Sequence, residues 1–288
     1  MKKTHYVKKI RKDFPNIQFK KTDIVTHGWD DDVILLDKKI VFVFPKTKPE
    51  SVAKLNKELR ILPKLNKHVS LSIPNFIYIP PDKSFAGYKY INGEPLTTKI
   101  FLSLTDKQQN LITAQIAKFL SELHTFPKAI AKRNGIDLAW SENDARNYYE
   151  KQVKAVYKKL NKNDRTILQK LFLATAKTVG LRHKKALVHQ DFTNDHIIFD
   201  KKLKKISGVI DFGDIQISDP AIDFAGLWEY GEKFVGKVIK KYQVYDPTLN
   251  ERSWGWHVYH CIGLMYCGIT MQRKDYWETG YRIIANYY

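Results

Sequence analysis

In the run His189-Gln190-Asp191-Phe192-Thr193-Asn194-Asp195-His196, a carboxylate, Asp191, stands five residues ahead of a second polar group, His196. A further acid, Asp211 of Ile210-Asp211-Phe212-Gly213, follows twenty residues after the first. Phosphoryl transfer needs three such groups. One carboxylate orients an attacking hydroxyl and accepts its proton, while two others hold the Mg²⁺ ions that neutralise the phosphates. A lone Asp in a loop is ordinarily a turn or capping residue. The joint spacing with His196 and Asp211 instead marks Asp191 as a catalytic base. A metal-binding His196 must be neutral, so its site would weaken at low pH.

Hydrophobic periodicity gives the elements that must hold these groups. Tyr6, Val7, Ile10 and Phe14 have helical spacing. Strand-like runs follow at Ile17–Lys20, Val33–Leu36 and Ile40–Phe44, with Asp37-Lys38-Lys39 as a hairpin turn between the last two. A helix is expected from Ser51 to about Leu65, because Val52, Leu55, Leu59 and Leu62 fall on one stripe. Two more strands are expected at Pro74–Ile79 and Phe85–Ile91. This order predicts a small antiparallel sheet of five strands crossed by one helix. Asn92-Gly93-Glu94-Pro95 marks a turn out of the last strand. Beyond it the chain reads as mainly helical, at 111–124, 144–160, 164–179 and from about 223. A strand at Ala186–His189 delivers the loop of Asp191, and a hairpin of Ile197–Asp200 with Ile206–Ile210 delivers Asp211. The fold class predicted is α+β and two-lobed, with residues 1–91 as a nucleotide-binding lobe and 92–288 as a catalytic and acceptor-binding lobe.

Composition fits a soluble globular chain of 288 residues, 43% hydrophobic and 27% charged. Its two cysteines, Cys261 and Cys267, leave no room for a disulfide framework or a Cys-rich metal site, which suits a reducing cytoplasm. The basic start has no apolar core behind it and is not read as a signal peptide. No apolar run approaches the ~20 residues of a membrane span, so no membrane partner is expected. The formal charge of +19 comes from 49 Lys and Arg against 30 Asp and Glu. Lysine pairs are scattered throughout rather than gathered in one block, so nucleic acid is not the expected partner, and a monomer is expected.

The loop follows the kinase pattern H-R-D-x-x-x-x-N with D-F-G after it, Gln190 replacing the Arg and His196 the Asn. The stretch from His189 to Asp200 resembles the catalytic loop of aminoglycoside phosphotransferases, above all those that modify the 2''-hydroxyl. Gly208-Val209-Ile210-Asp211-Phe212-Gly213-Asp214, Ile217-Ser218-Asp219-Pro220, Phe119-Leu120-Ser121-Glu122-Leu123-His124 and Gly93-Glu94-Pro95-Leu96-Thr97 extend the resemblance from about residue 20 to 235. The resemblance implies a Mg²⁺-dependent transfer of the γ-phosphate of ATP or GTP to a hydroxyl of a small molecule. It implies Asp191 as the base, His196 and Asp211 as metal ligands, and Glu58 as the kinase helix glutamate. Tyr88, Tyr90 and Ile91 would lie at the hinge that reads the purine, and Gly28 in the nucleotide loop. Asp195, Asp214, Glu229 and Glu232 would face a cationic acceptor. Asp219 is read as bracing the catalytic loop, Asp223 as capping the next helix and His124 as a helix-end histidine.

The chain departs from the family pattern at three places. Val43 stands where the phosphate-gripping strand lysine belongs, in Phe42-Val43-Phe44-Pro45-Lys46. Lys46 is the expected substitute, and losing such a contact costs on the order of 3 kcal/mol of transition-state stabilisation. Gly28-Trp29-Asp30-Asp31-Asp32 offers one glycine and three carboxylates where phosphates would pass. The tail, with Trp228, Trp254, Trp256, Tyr259 and Trp277, suits sugar rings or an apolar acceptor equally. Two other readings follow. One is a phosphotransferase for a macrolide or a metabolic alcohol such as choline. The other is a catalytically weak kinase homologue that binds nucleotide or polyanions.

Overall fold

The computed structural model describes residues 2–26, 28–139 and 141–286. Its first helix, α1 (Lys2–Asp13), is amphipathic and sets Ile10 against a sheet of five strands. These are β1 (Thr22–Val25), β2 (Asp31–Leu36), β3 (Ile40–Pro45), β4 (Phe76–Tyr78) and β5 (Ala86–Lys89), with α2 (Pro49–Leu65) between β3 and β4. The spatial order is β1-β2-β3-β5-β4, and every pair is antiparallel. Alternation along β2 and β3 turns Ile34, Leu36, Phe42 and Phe44 onto Ile10 and Phe85 in a buried cluster beneath α1. The opposite face of the sheet looks toward the rest of the molecule.

The first strand lies later than the sequence pattern predicts. Ile17 and Phe19 pack against the small cluster without entering the sheet, and the segment 22–25 pairs with β2 instead. Asp37 anchors the chain before it, accepting the amides of Lys20 and Lys21. The expected turn at Asp37-Lys38 is present, both residues adopting left-handed backbone (φ 49° and 52°).

Beyond β6 (Glu94–Pro95) the chain is mostly helical. It forms α3 (Thr98–Leu102), α4 (Asp106–Thr125), α5 (Lys128–Arg133), α6 (Glu142–Tyr157) and α7 (Lys162–Thr178). Strands β7 (Ala186–Val188), β8 (Ile197–Asp200), β9 (Lys205–Val209) and β10 (Gln216–Ser218) interrupt it. Then come α8 (Ile222–Ala225), a 3-10 turn (Gly226–Tyr230), α9 (Glu232–Lys241), α10 (Leu249–Thr270) and α11 (Lys274–Ala285). Capping boxes at Thr105 and Ser141 start α4 and α6, each satisfying otherwise orphan amides of the first turn. One large apolar core joins α4, α6, α7, α10 and the short strands, and takes in Ile61, Leu62 and Leu65 from the end of α2. The result is the two-lobed α+β arrangement of kinases. No helix among the described residues is long and apolar enough to cross a membrane.

Candidate active site

The catalytic loop leaves β7, which pairs with β10, and returns into the hairpin of β8 and β9. Asp223, fully buried at the start of α8, fixes its entry. The carboxylate accepts the amides of His189 and Gln190, each at 2.8 Å, and lies 3.0 Å from His124 Nε2. His124 in turn meets the Tyr242 hydroxyl at 2.7 Å, and His189 Nε2 lies 3.0 Å from the Ile210 carbonyl. The brace is therefore Asp223, not Asp219, and His124 belongs to it rather than merely ending α4. Asp219 does other work, receiving Arg252 through two 3.0 Å contacts and the Trp256 indole N–H at 2.8 Å. Spacing could not separate these two acids, because only contacts made in space, from His124 of α4 and from the amides after β7, distinguish them.

Two non-glycine residues of the site adopt left-handed backbone: Gln190 at φ 77° and Asp211 at φ 67°. Such conformations cost of order 1–3 kcal/mol and persist only where surrounding contacts impose them. Here Asp223 holds the Gln190 amide, and Glu58 accepts the Phe212 amide at 3.0 Å.

His196 sits between the two acids. Its Nδ1 lies 2.8 Å from the Asp191 carbonyl and 3.5 Å from Asp191 Oδ2, while Nε2 lies 3.4 Å from Asp211 Oδ2. Burial disfavours its charged form, yet Asp191, Asp211 and the Asp191 carbonyl outweigh burial and raise its pKa above the ordinary value. The donor set fits a divalent ion. Two ligands at adjacent coordination positions of Mg²⁺, each about 2.1 Å from it, stand about 3 Å apart, close to the His196–Asp211 separation. No group of three or more metal-binding side chains occurs among the described residues. That suits an ion which takes its remaining ligands from phosphates and water.

On the nucleotide side, Phe42 and Phe44 point under α1, so Val43 faces the cleft. Val43 pairs with Val33, and Asp31, two residues before Val33, shares that face. Burial, then the charges of Asp211 and Asp30, push the Asp31 pKa up to about 7 against the opposing pull of Lys54 and Lys46. Glu58 is buried and its pKa is raised well above normal, by burial first and then by Asp211 and Asp31. Lys46 donates to the Gly28 carbonyl. Lys54, which sequence reasoning missed, bonds Asp30 at 2.5 Å and Asp214 at 2.8 Å. Tyr88 is buried in β5, with Glu58 and Asp211 among the charges it feels. Tyr90 donates its amide to Lys39 and its hydroxyl to Gly93, and the Ile91 side chain lies against Gly208.

On the acceptor side, Glu229 accepts the Asn194 side-chain amide at 2.8 Å. Burial, then Asp195, pushes the Glu229 pKa up to about 7. Asp195 is exposed, as is Glu232 at the start of α9, and Asp214 lies against α2 in the grip of Lys54. A cavity of about 70 Å³ opens beside Asp191, lined by Gln190, Tyr149, Trp256 and His260 among others. His260 was not anticipated from the sequence. Burial lowers its pKa and Asp191 partly opposes this, so the ring is held neutral beside the acid. Trp254 packs on Trp228 at 4.8 Å and on His257 at 5.4 Å, so part of the tail's aromatic content is structural.

Comparison with known proteins agrees with this geometry. Residues 22–257 match the Phosphotransferase enzyme family (APH). A GDP complex of wild-type aminoglycoside 2'-phosphotransferase-IIIa is similar in structure, with a TM-score of 0.86 and 26% identity over 99% of this chain and 98% of that one. A GDP and kanamycin complex of an APH(2'') enzyme gives 0.84 and 26%, over 98% and 97% of the two chains. A type I macrolide 2'-phosphotransferase, at 17% identity and a TM-score of 0.73 over 96% and 95%, shares the fold. Since the family match runs through β1, Asp191, Asp211 and the tail as far as α10, the chain belongs to the phosphotransferase enzyme family.

Proposed function

We propose that this protein transfers the γ-phosphate of ATP or GTP to a hydroxyl of an aminoglycoside antibiotic, as a resistance-type phosphotransferase. Residues 1–91 would form the nucleotide lobe and 92–288 the catalytic and acceptor lobe. The observation that supports the reading is the placement of His196 between Asp191 and Asp211, an arrangement that would set a base beside a divalent ion. Asp191 accepts a hydrogen bond from the acceptor hydroxyl, aligns it with the phosphorus and takes its proton as the ester forms. His196 and Asp211 would hold the metal, which when bound supplies neutralisation of phosphate charge. Asp195 and the Asn194–Glu229 pair offer carboxylates to an acceptor's ammonium groups. Kanamycin in a similar structure supports a polycationic acceptor.

The aromatic lining of Tyr149 and Trp256 favours a second reading, an apolar alcohol such as a macrolide. An assay of nucleotide consumption with aminoglycosides, macrolides and choline separates the two. The proposal expects stimulation by aminoglycosides. Stimulation by a macrolide or choline alone would overturn the assigned acceptor.

A further inference from the structure

A divalent ion leaves a triphosphate anionic, and this cleft is already lined by Asp191, Asp211, Asp31 and Glu58. A cation of the protein must therefore face the phosphates if they are to enter with useful affinity. Strand β3 does not supply one, because Val43 occupies its cleft face. We propose that Lys54, one helical turn before Glu58 on α2, is the phosphate-positioning cation of this chain. The inference rests on the phosphotransferase reading above.

The Lys54 ammonium lies between the two structures that would enclose a triphosphate. It meets Asp30 of the loop after Gly28 at 2.5 Å and Asp214, three residues beyond Asp211, at 2.8 Å. Its stem packs on the turn that carries Asp211, since a Cβ added at Gly213 would lie 3.3 Å from Lys54 Cδ. Ser51, a turn earlier on α2, donates to the other Asp30 oxygen at 3.2 Å and holds the loop over the lysine. The Lys54 side chain is 25% exposed, so it is shielded yet reachable from the cleft. Burial disfavours its charge, but Asp214 and Asp30 prevail and keep it protonated. Incoming phosphate oxygens would replace these carboxylates on the ammonium, one set of charge-assisted bonds for another. Lys46 is placed differently. Its ammonium is bonded to the Gly28 carbonyl, on the small-lobe side of the cleft.

The test compares a triphosphate with its nucleoside. Calorimetry on the full chain with Mg²⁺ would measure ATP and GTP against adenosine and guanosine, in wild type and in Lys54→Ala, Lys54→Arg, Lys46→Ala and Asp30→Asn. A phosphate role predicts that Lys54→Ala weakens triphosphate binding roughly tenfold or more and changes nucleoside binding by less than about twofold. Lys54→Arg should retain most of the affinity, and Asp30→Asn should keep or raise it. Val43→Lys, added to Lys54→Ala, should restore triphosphate binding. Equal losses for triphosphate and nucleoside in Lys54→Ala would make the lysine merely structural and overturn the proposal. So would a loss confined to Lys46→Ala. If wild type binds no triphosphate at all, the phosphotransferase reading itself fails, and the lysine has no phosphate to hold.

Discussion

At the scale of single residues, the site works by setting carboxylates in unequal surroundings. Asp191 and Asp211 flank an imidazole, whereas Glu229 is half-buried beside Asp195 and its pKa rises to about 7. The sign of that shift gives a prediction. A carboxyl raised in the folded state favours the fold below its unfolded pKa and loses that contribution as pH rises through about 7. Attraction for a cationic acceptor runs the other way, present above about 7 and fading as the acid protonates below it. The acceptor KM should therefore rise severalfold between about pH 8 and about pH 6. Glu229→Gln should flatten that dependence while leaving the nucleotide KM in place. An acceptor KM whose pH profile is the same in Glu229→Gln as in wild type would remove Glu229 from the binding site. His196, as a proposed metal ligand, should register in kcat instead.

At the scale of elements, much was legible because hydrophobic periodicity and the catalytic spacing each point to one answer. Helices at 49–65, 106–125, 142–157 and 162–178 lie where the apolar stripes place them, within a few residues. Strand β1 was not legible. Its sequence, Thr22–Val25, is half exposed at a sheet edge and carries two apolar residues, as 17–20 does, so composition alone does not say which of the two segments pairs with β2. Nor was Lys54, one lysine among three on its helix, distinguishable until the loop opposite it is known. The Asp223 brace was misread for the same reason, since it depends on contacts from α4 and β7 brought together in space. Its weight can be measured. Asp223→Ala leaves the buried amides of His189 and Gln190 without their acceptor and should cost about 3–5 kcal/mol in urea unfolding. A loss below about 1 kcal/mol would show that the loop holds itself.

At the scale of the whole molecule, a strongly basic surface surrounds an acidic cleft. The chain carries a formal +19, yet Asp30, Asp31, Glu58, Asp191, Asp211 and Asp214 converge between the lobes. Local field rather than net charge governs what enters, so a polycation and a metal-bound triphosphate are both compatible with it. The lobes are also tied across the mouth of the cleft. The Trp29 ring lies parallel to Tyr276 at 6.2 Å and its N–H reaches that hydroxyl at 3.3 Å, while Lys54 spans from α2 to Asp214. The central claim is that this enclosed cleft makes a phosphate ester with Asp191 as base. Phosphorus NMR of a reaction containing ATP or GTP, Mg²⁺ and kanamycin tests it directly, with wild type and Asp191→Ala side by side and nucleotide binding measured on both. Wild type should give a phosphomonoester signal on kanamycin. In Asp191→Ala its rate should be at least about a hundredfold lower, with nucleotide affinity retained. Equal ester formation by the two proteins, or none from wild type with nucleotide bound, would contradict it.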